Sequence, residues 1–179
     1  MAGRNALDTW TNLLHLLGFV VVNVHEDVPR KRYHFTVVPE HPIGVCPHCG
    51  TPSDTVKQRR NRDGIRDLPL GPYAVDLTVR VGQYSCDRCK KSFTPPTDFL
   101  AEGSRATERF LERAAELIRH SDLLNVARFF SVPEKTLERW YYGYAERSQR
   151  TAAAKSPGVI RRIGIDELSL KKSTGSSSP

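Results

Sequence analysis

Cys46-Pro47-His48-Cys49-Gly50 and Cys86-Asp87-Arg88-Cys89 decide how this chain is read. They hold all four cysteines of its 179 residues, arranged as two C-x-x-C pairs. Two residues between thiolates let both sulfurs of a tight turn face one metal ion, and Gly50 allows the backbone to turn with positive φ. Four thiolates complete a tetrahedral Zn²⁺ shell and leave no open position, so the spacing predicts a structural zinc site with Cys46, Cys49, Cys86 and Cys89 as ligands. A redox dithiol would sit in a βαβ setting, and neither pair has one. With four cysteines available, His48 reads as an exposed knuckle residue and not a ligand.

The insert between the pairs, residues 50–85, exceeds the roughly 15–20 residues of the common spacing and must contain structure of its own. Tyr73, Val75, Leu77, Val79 and Val81 alternate with Ala74, Asp76, Thr78, Arg80 and Gly82. This is a strand running straight into the second knuckle. Pro69-Leu70-Gly71-Pro72 is the turn before it, and Val56 to Arg62 is a weaker candidate for its hairpin partner. The expectation is a zinc ribbon, two knuckles at the ends of a hairpin scaffold.

Upstream, residues 4–17 place Leu7, Trp10, Leu13, Leu14 and Leu17 on one face of a short helix, with Gly18 set to stop it. Phe19 to Val24 reads as a buried strand. Val28-Pro29-Arg30-Lys31 is a basic turn, and Tyr33, Phe35 and Val37 mark a second strand.

Downstream, Thr94-Pro95-Pro96-Thr97 breaks the pattern, and a boundary is expected at residues 94–104. A helix follows, with Ser104 as its N-cap and Thr107 and Glu108 in its first turn. Phe110, Leu111, Ala114, Leu117 and Ile118 form its apolar face; Arg105, Arg109, Glu108 and Glu112 fall outside. From Leu123 to Tyr144 the spacing of Ala127, Ser131, Leu137 and Trp140, with Val126, Phe130 and Val132 between, is that of a helix-turn-helix. A small residue sits at the helix crossing, and Pro133 suits the first turn of the second helix. Glu134, Lys135, Glu138 and Arg139 would then face a DNA major groove. Arg139 would read a base and Lys135 would touch phosphate. The competing reading is a plain three-helix unit whose Phe129, Phe130 and Trp140 are core. Tyr141, Tyr142 and Tyr144 fit stacking, phosphate contact, core or a dimer contact equally.

Composition agrees with a folded, α+β chain: 39% of residues are apolar and 26% charged. The net charge of +7 favours polyanions. The longest apolar run, Leu16 to Val22, is far short of the roughly 20 residues of a membrane span. With no secretory pattern at the N-terminus, a cytoplasmic, nucleoid-associated location is expected.

The ordered combination of C-P-H-C-G, Arg66-Asp67-Leu68-Pro69-Leu70-Gly71, a second cysteine pair followed by Phe93, and a helix-turn-helix resembles the N-terminal half of bacterial insertion-sequence transposases. The family meant has a zinc ribbon ahead of a DDE catalytic domain. Relatives often space the second cysteine pair more widely. The resemblance implies duplex DNA at transposon ends as the partner, with a second copy or a full-length transposase as a further one. It also implies that Gly164-Ile165-Asp166-Glu167 opens an RNase H-like catalytic domain, with Asp166 as the first of several carboxylates. Two Mg²⁺ ions serve that chemistry in a full-length relative, and one carboxylate cannot hold them. Glu167 follows Asp166 directly and would point to the opposite face of a strand. The expected organisation is therefore residues 1–93, helix, strands and ribbon; 104–150, an all-α helix-turn-helix domain; and 151–179, a linker, an orphaned RNase H-like strand and a low-complexity tail. That is a truncated transposase without a complete catalytic centre, active with Mg²⁺ only if the product extends past residue 179. The alternative is an interaction module that dimerises with full-length transposase.

Overall fold

The computed structural model describes residues 4–155. Of the linker, catalytic strand and tail expected at 151–179, residues 156–179, with Asp166 and Glu167, lie outside the described residues, and 151–155 continue the last helix. The elements in chain order are α1 (Arg4–Leu14), β1 (Phe19–Asp27), β2 (Arg32–Pro39), β3 (Gly44–Val45), β4 (Pro52–Ser53), β5 (Val56–Leu70), β6 (Tyr73–Ser85), β7 (Ser92–Phe93), α2 (Glu108–His120), α3 (Leu123–Phe129) and α4 (Glu134–Lys155).

The alternating strand expected at Tyr73–Gly82 is β6, the centre of the main sheet. The sheet order is β1-β2-β6-β5, with β7 also on β6. β2 runs parallel to β6, with Tyr33, Phe35 and Val37 opposite Val75, Leu77 and Val79. These residues share the covered face of the sheet, because side chains alternate along each strand. α1 closes that face. Trp10 lies 5.4 Å from the Tyr33 ring and 5.3 Å from that of Phe35, and Leu14 and Leu16 are buried in the same cluster. The described residues contain no helix long and apolar enough to cross a membrane.

Several expectations are corrected. α1 ends at Leu14 and not near Leu17, because His15 takes a left-handed φ of 45° ahead of Gly18. The helical phase is lost there, so Leu17 is exposed and Leu16 is buried instead; Leu13, still within the helix, falls at the margin of the Leu7–Trp10–Leu14 face and is exposed as well. β1 is not a buried strand. It is a sheet edge covered on one face, in which Val21 is buried, Val22 is exposed, and the register slips between Val21 and Asn23. The partner of β6 is longer than Val56 to Arg62: β5 spans 15 residues and reaches the turn at Gly71, where φ is 57°.

The helical part begins with a return to the sheet. The Arg66 N–H donates to Arg105 O and the Thr107 N–H to Arg66 O, each at 2.9 Å. Residues 97–107 are therefore tied to β5, and the helix starts only after this tie. Its N-cap is Thr107 and not Ser104; Thr107 Oγ1 accepts from the Phe110 N–H. Phe110, Leu111, Ala114, Val126, Ala127, Phe130, Val132, Leu137 and Trp140 form a second core, with Leu117 and Ile118 partly buried against it. Phe129 is not core: it is 67% exposed, while its neighbour Phe130 packs against Phe110.

Arg109 is the largest departure. Expected on the outside, it turns inward to the buried Asp67 carboxylate. Arg109 Nε donates to Asp67 Oδ1 at 2.8 Å, and a second guanidinium nitrogen pairs closely with Oδ2. Thr107 Oγ1 donates to the same carboxylate at 2.7 Å, and Arg109 also donates to Leu14 O at 2.7 Å. One side chain thus joins β5, the end of α1 and the start of α2. Its hydrogen bonds to the Asp67 carboxylate hold the guanidinium firmly in its charged form, raising its pKa despite partial burial.

Candidate metal centre and nucleic-acid interface

Each cysteine pair sits on a short hairpin. The first knuckle lies between β3 and β4, whose register pairs Gly44 with Ser53. The second lies between β6 and β7, which pair Tyr84 with Phe93. The two turns are built alike. Gly50 N–H donates to Cys46 O and Lys90 N–H to Cys86 O, both at 2.8 Å, and each closing residue has a left-handed φ, 72° at Gly50 and 59° at Lys90. Glycine adopts this conformation freely; Lys90 adopts it at a cost. Ser53 Oγ donates to Ser85 O at 2.6 Å and fastens one hairpin to the other.

This arrangement brings the four sulfurs within 4.8 Å of one another, with Cys46 and Cys86 buried. Cys46 Sγ lies 3.7 Å from Cys89 Sγ, and Cys49 Sγ 3.4 Å from Cys86 Sγ. A tetrahedral ion with bonds of about 2.3 Å needs sulfurs roughly 3.8 Å apart, so the set fits zinc. The thiols themselves also point to a cation. The Thr51 hydroxyl and then its N–H favour the Cys49 thiolate and lower its pKa to about 6. At Cys89 the Lys91 N–H favours the thiolate, but burial and the sulfurs of Cys86, Cys46 and Cys49 outweigh it and push that thiol up to about 11. Thiolates this close repel one another, and a cation held among them would offset that repulsion. Tyr84 and Phe93 stack beneath the site with centroids 5.7 Å apart. Gly44 is forced by this packing: a Cβ there would come within 2.9 Å of the Phe93 ring and 3.0 Å of Pro95. His48 is exposed and outside the sulfur cluster.

The second candidate region is the α3–turn–α4 unit. Asp122 caps α3, its Oδ1 accepting from the Asn125 N–H at 2.8 Å. The turn needs a left-handed residue, and Ser131 supplies it with φ 53° where glycine would be at ease. Val132 N–H then donates to Ala127 O at 3.0 Å, and Pro133 O accepts from Leu137 N–H at 3.0 Å. Ala127, Leu137 and Trp140 are buried where the two helices meet. Glu134, Lys135, Glu138 and Arg139 all lie on the exposed side of α4. Tyr144 packs on the core, whereas Tyr142 is exposed.

Two features escaped the sequence reading. One is the Asp67–Arg109 pair, which carries no periodic signal. The other is the exposed half of β5, Val56 to Gly64, with Lys57, Arg59, Arg60 and Arg62 on an open sheet edge. Four cations in six residues were the available signal.

Residues 43–89 match the family described as the zinc-finger of transposase IS204/IS1001/IS1096/IS1165. Residues 95–145 match the helix-turn-helix domain of transposase family ISL3. The chain is also similar to the transposase for insertion sequence element IS1001 of Bordetella parapertussis, at 25% identity over 146 residues. That match covers 80% of this chain and 34% of the relative, so the chain spans about a third of that protein's length. No solved structure matches.

Proposed function

We propose that this chain, which carries the zinc-ribbon and helix-turn-helix domains of ISL3-family transposases, binds the terminal inverted repeats of an insertion sequence. The observation that carries the proposal is the two-sidedness of α4: Leu137 and Trp140 are buried, while Glu134, Lys135, Glu138 and Arg139 face outward directly after the turn. A helix so mounted presents its first turns to a major groove. Arg139 supplies a bidentate donor for guanine, Lys135 a phosphate contact, and Glu134 and Glu138 select among cytosine donors and against phosphates. Zinc, held by Cys46, Cys49, Cys86 and Cys89, braces the fold and takes no part in chemistry. In this reading residues 1–93 support and residues 104–150 read. Asp166 is the first Mg²⁺-binding carboxylate of the strand-transfer reaction in a chain that carries the remainder of the catalytic domain.

Gel shifts with the element's own ends test this. Arg139→Ala should cut the preference for the cognate end over random duplex by roughly 10-fold or more, the value of about 1–3 kcal/mol for one bidentate base contact. Lys135→Ala should weaken both alike. Equal wild-type affinity for cognate and random duplex at physiological salt would sink the proposal. A second reading, an interaction module pairing with another transposase chain, draws on the exposed Phe129 and Tyr142. It requires self-association without salt-dependent DNA affinity, which sedimentation and gel shifts together would reveal.

A further inference from the structure

We infer that the N-terminal half of β5 is a second DNA contact, a rail that follows the phosphate backbone of duplex DNA away from the helix-turn-helix. The inference rests on the DNA-binding reading above and extends it to a different surface. Lys57, Arg59, Arg60 and Arg62 are all exposed, and no acidic residue interrupts Thr55 to Arg62. Among the described residues none of the four takes part in an ion pair. On the helices the cations are divided: Arg109, Arg113, Arg147 and Arg150 each face a carboxylate, whereas Arg119, Arg128, Lys135 and Arg139 take part in no ion pair among the described residues. The free cations of β5 keep their full charge for an outside partner.

The strand is also placed for it. Among the described residues β5 is the terminal strand of the sheet, and none of them pairs with its outer edge from Val56 to Gly64. Arg60 and Arg62 stand opposite Val81 and Val79, while Arg59 and Asn61 stand opposite Gly82 and Arg80. Arginines on both faces therefore flank one edge, whose unpaired N–H groups are themselves phosphate donors. One end of β5 meets the second knuckle, where Lys57 Nζ lies 3.4 Å from Ser92 Oγ and the exposed Lys90 and Lys91 follow. The other end meets the helix-turn-helix, where an Arg66 guanidinium nitrogen lies 3.5 Å from Ser131 O. From Lys57 to Arg62, at about 3.3 Å per residue, the cations cover roughly 17 Å, about half the ~34 Å of one B-DNA turn. Charge on edge strands also discourages unwanted strand pairing. Either sign serves that purpose, and a single lysine often suffices, so an all-positive run that leads from the second knuckle toward the helix-turn-helix calls for a polyanion.

The test compares the full chain with two zinc-loaded, folded variants of equal net charge. The rail variant carries Arg59→Gln, Arg60→Gln and Arg62→Gln. The control carries Arg113→Gln, Arg119→Gln and Arg150→Gln on the helices. Each phosphate contact contributes about 0.9 to the slope of log affinity against log salt. Loss of three contacts lowers the slope by about 2.7, so between 50 and 200 mM salt the wild type loses roughly 40-fold more affinity than the rail variant. The rail variant should weaken on cognate and random duplex alike, keep the ratio between them, and lose hydroxyl-radical protection of about half a turn on one side of the site. The control should keep the wild-type slope. A rail variant with the wild-type slope, or with no greater loss than the control, overturns the rail and leaves the helix-turn-helix reading standing. So does a rail variant that changes only self-association. Wild-type binding without salt dependence overturns the DNA-binding reading itself.

Discussion

Replacing Arg109 with alanine tests the joint between the zinc-bearing sheet and the helical unit. The Asp67 side chain is fully buried, and its carboxylate accepts from Thr107 Oγ1 and from two Arg109 nitrogens. Arg109→Ala removes the charged partner and leaves the carboxylate with one neutral donor. Stripping one member from a buried ion pair costs about 3–5 kcal/mol. The Arg109 side chain is 34% exposed, so solvent already screens part of the pair, and the lower end of that range, about 3 kcal/mol, is expected. Asp67→Asn should cost less, about 1–2 kcal/mol, because the amide still accepts from Thr107 and the guanidinium can turn to water. The double variant should then show a coupling of about 1.5 kcal/mol or more. The chain carries a convenient pair of probes, since Trp10 sits in the sheet core and Trp140 in the helical core. Denaturant unfolding of Trp10→Phe and Trp140→Phe backgrounds reports each part separately. In the parent the two transitions should coincide; with Arg109→Ala both midpoints should fall and the two should separate. A loss below about 0.5 kcal/mol with coincident transitions would show that Asp67–Arg109 is not the joint.

Three shorter predictions follow from the zinc centre and the turn. Gly44→Ala drives a Cβ against Phe93, Tyr84 and Pro95. It should cost about 1–3 kcal/mol by overpacking, and competition with a chromophoric chelator should show weakened zinc retention; unchanged retention refutes it. Chelation of the metal should loosen the two cysteine knuckles and the adjoining ends of β5 and β6 while Trp140 stays buried, which hydrogen exchange and fluorescence of the single-tryptophan variants would report; a chain that contains no zinc and keeps its full fold would end the metal assignment. Ser131→Gly should raise stability by about 0.5–1 kcal/mol, because relief of the left-handed strain exceeds the added chain entropy. A lowered melting temperature would contradict that account.

The parts legible in the sequence are those fixed by local chemistry. Two C-x-x-C turns specify their own ligands, β6 announces itself by alternation, and the helix-turn-helix is written in the spacing of Ala127, Leu137 and Trp140. The errors share another cause. Leu13, Leu17 and Val22 look apolar and buried in sequence, yet their exposure depends on which surface has a partner. α1 covers only one face of the sheet, and β1 lies at its edge. Ser104 has the chemistry of an N-cap, but the backbone bonds of residues 105–107 to β5 postpone the helix until Thr107 can cap it. Arg109 follows helical phase to the outer surface and is drawn inward only because Asp67, far away in sequence, is buried without another cation. Such pairings between distant residues have no periodic signature.

The same long-range logic assigns the zinc an indirect role in DNA affinity. β6 ends in Cys86, and β5 begins beside it, with Val56 opposite Tyr84 and Ser85 N–H donating to Thr55 O at 2.9 Å. Among the described residues, the exposed half of β5 pairs with no strand but β6, and its other ties are the side-chain bonds of Lys57 to Ser92 and of Arg62 to Thr97. Its position therefore depends on how firmly the end of β6 is held. Cys86 and Cys89 anchor that end to the first knuckle through the metal, and the Ser53 hydroxyl bonded to Ser85 O and the packing of Gly44 on Tyr84 and Phe93 are weaker fastenings between them. Loss of the ion should loosen β7, then the end of β6, and with it the register of Arg59, Arg60 and Arg62. The helix-turn-helix is tied farther along, at Arg66 and Asp67, and should be spared. Partial zinc removal should thus lower the salt dependence of DNA binding before it erodes the preference for the cognate sequence. A metal-depleted chain that lost sequence preference first would show that the zinc serves the reading helix and not the basic strand.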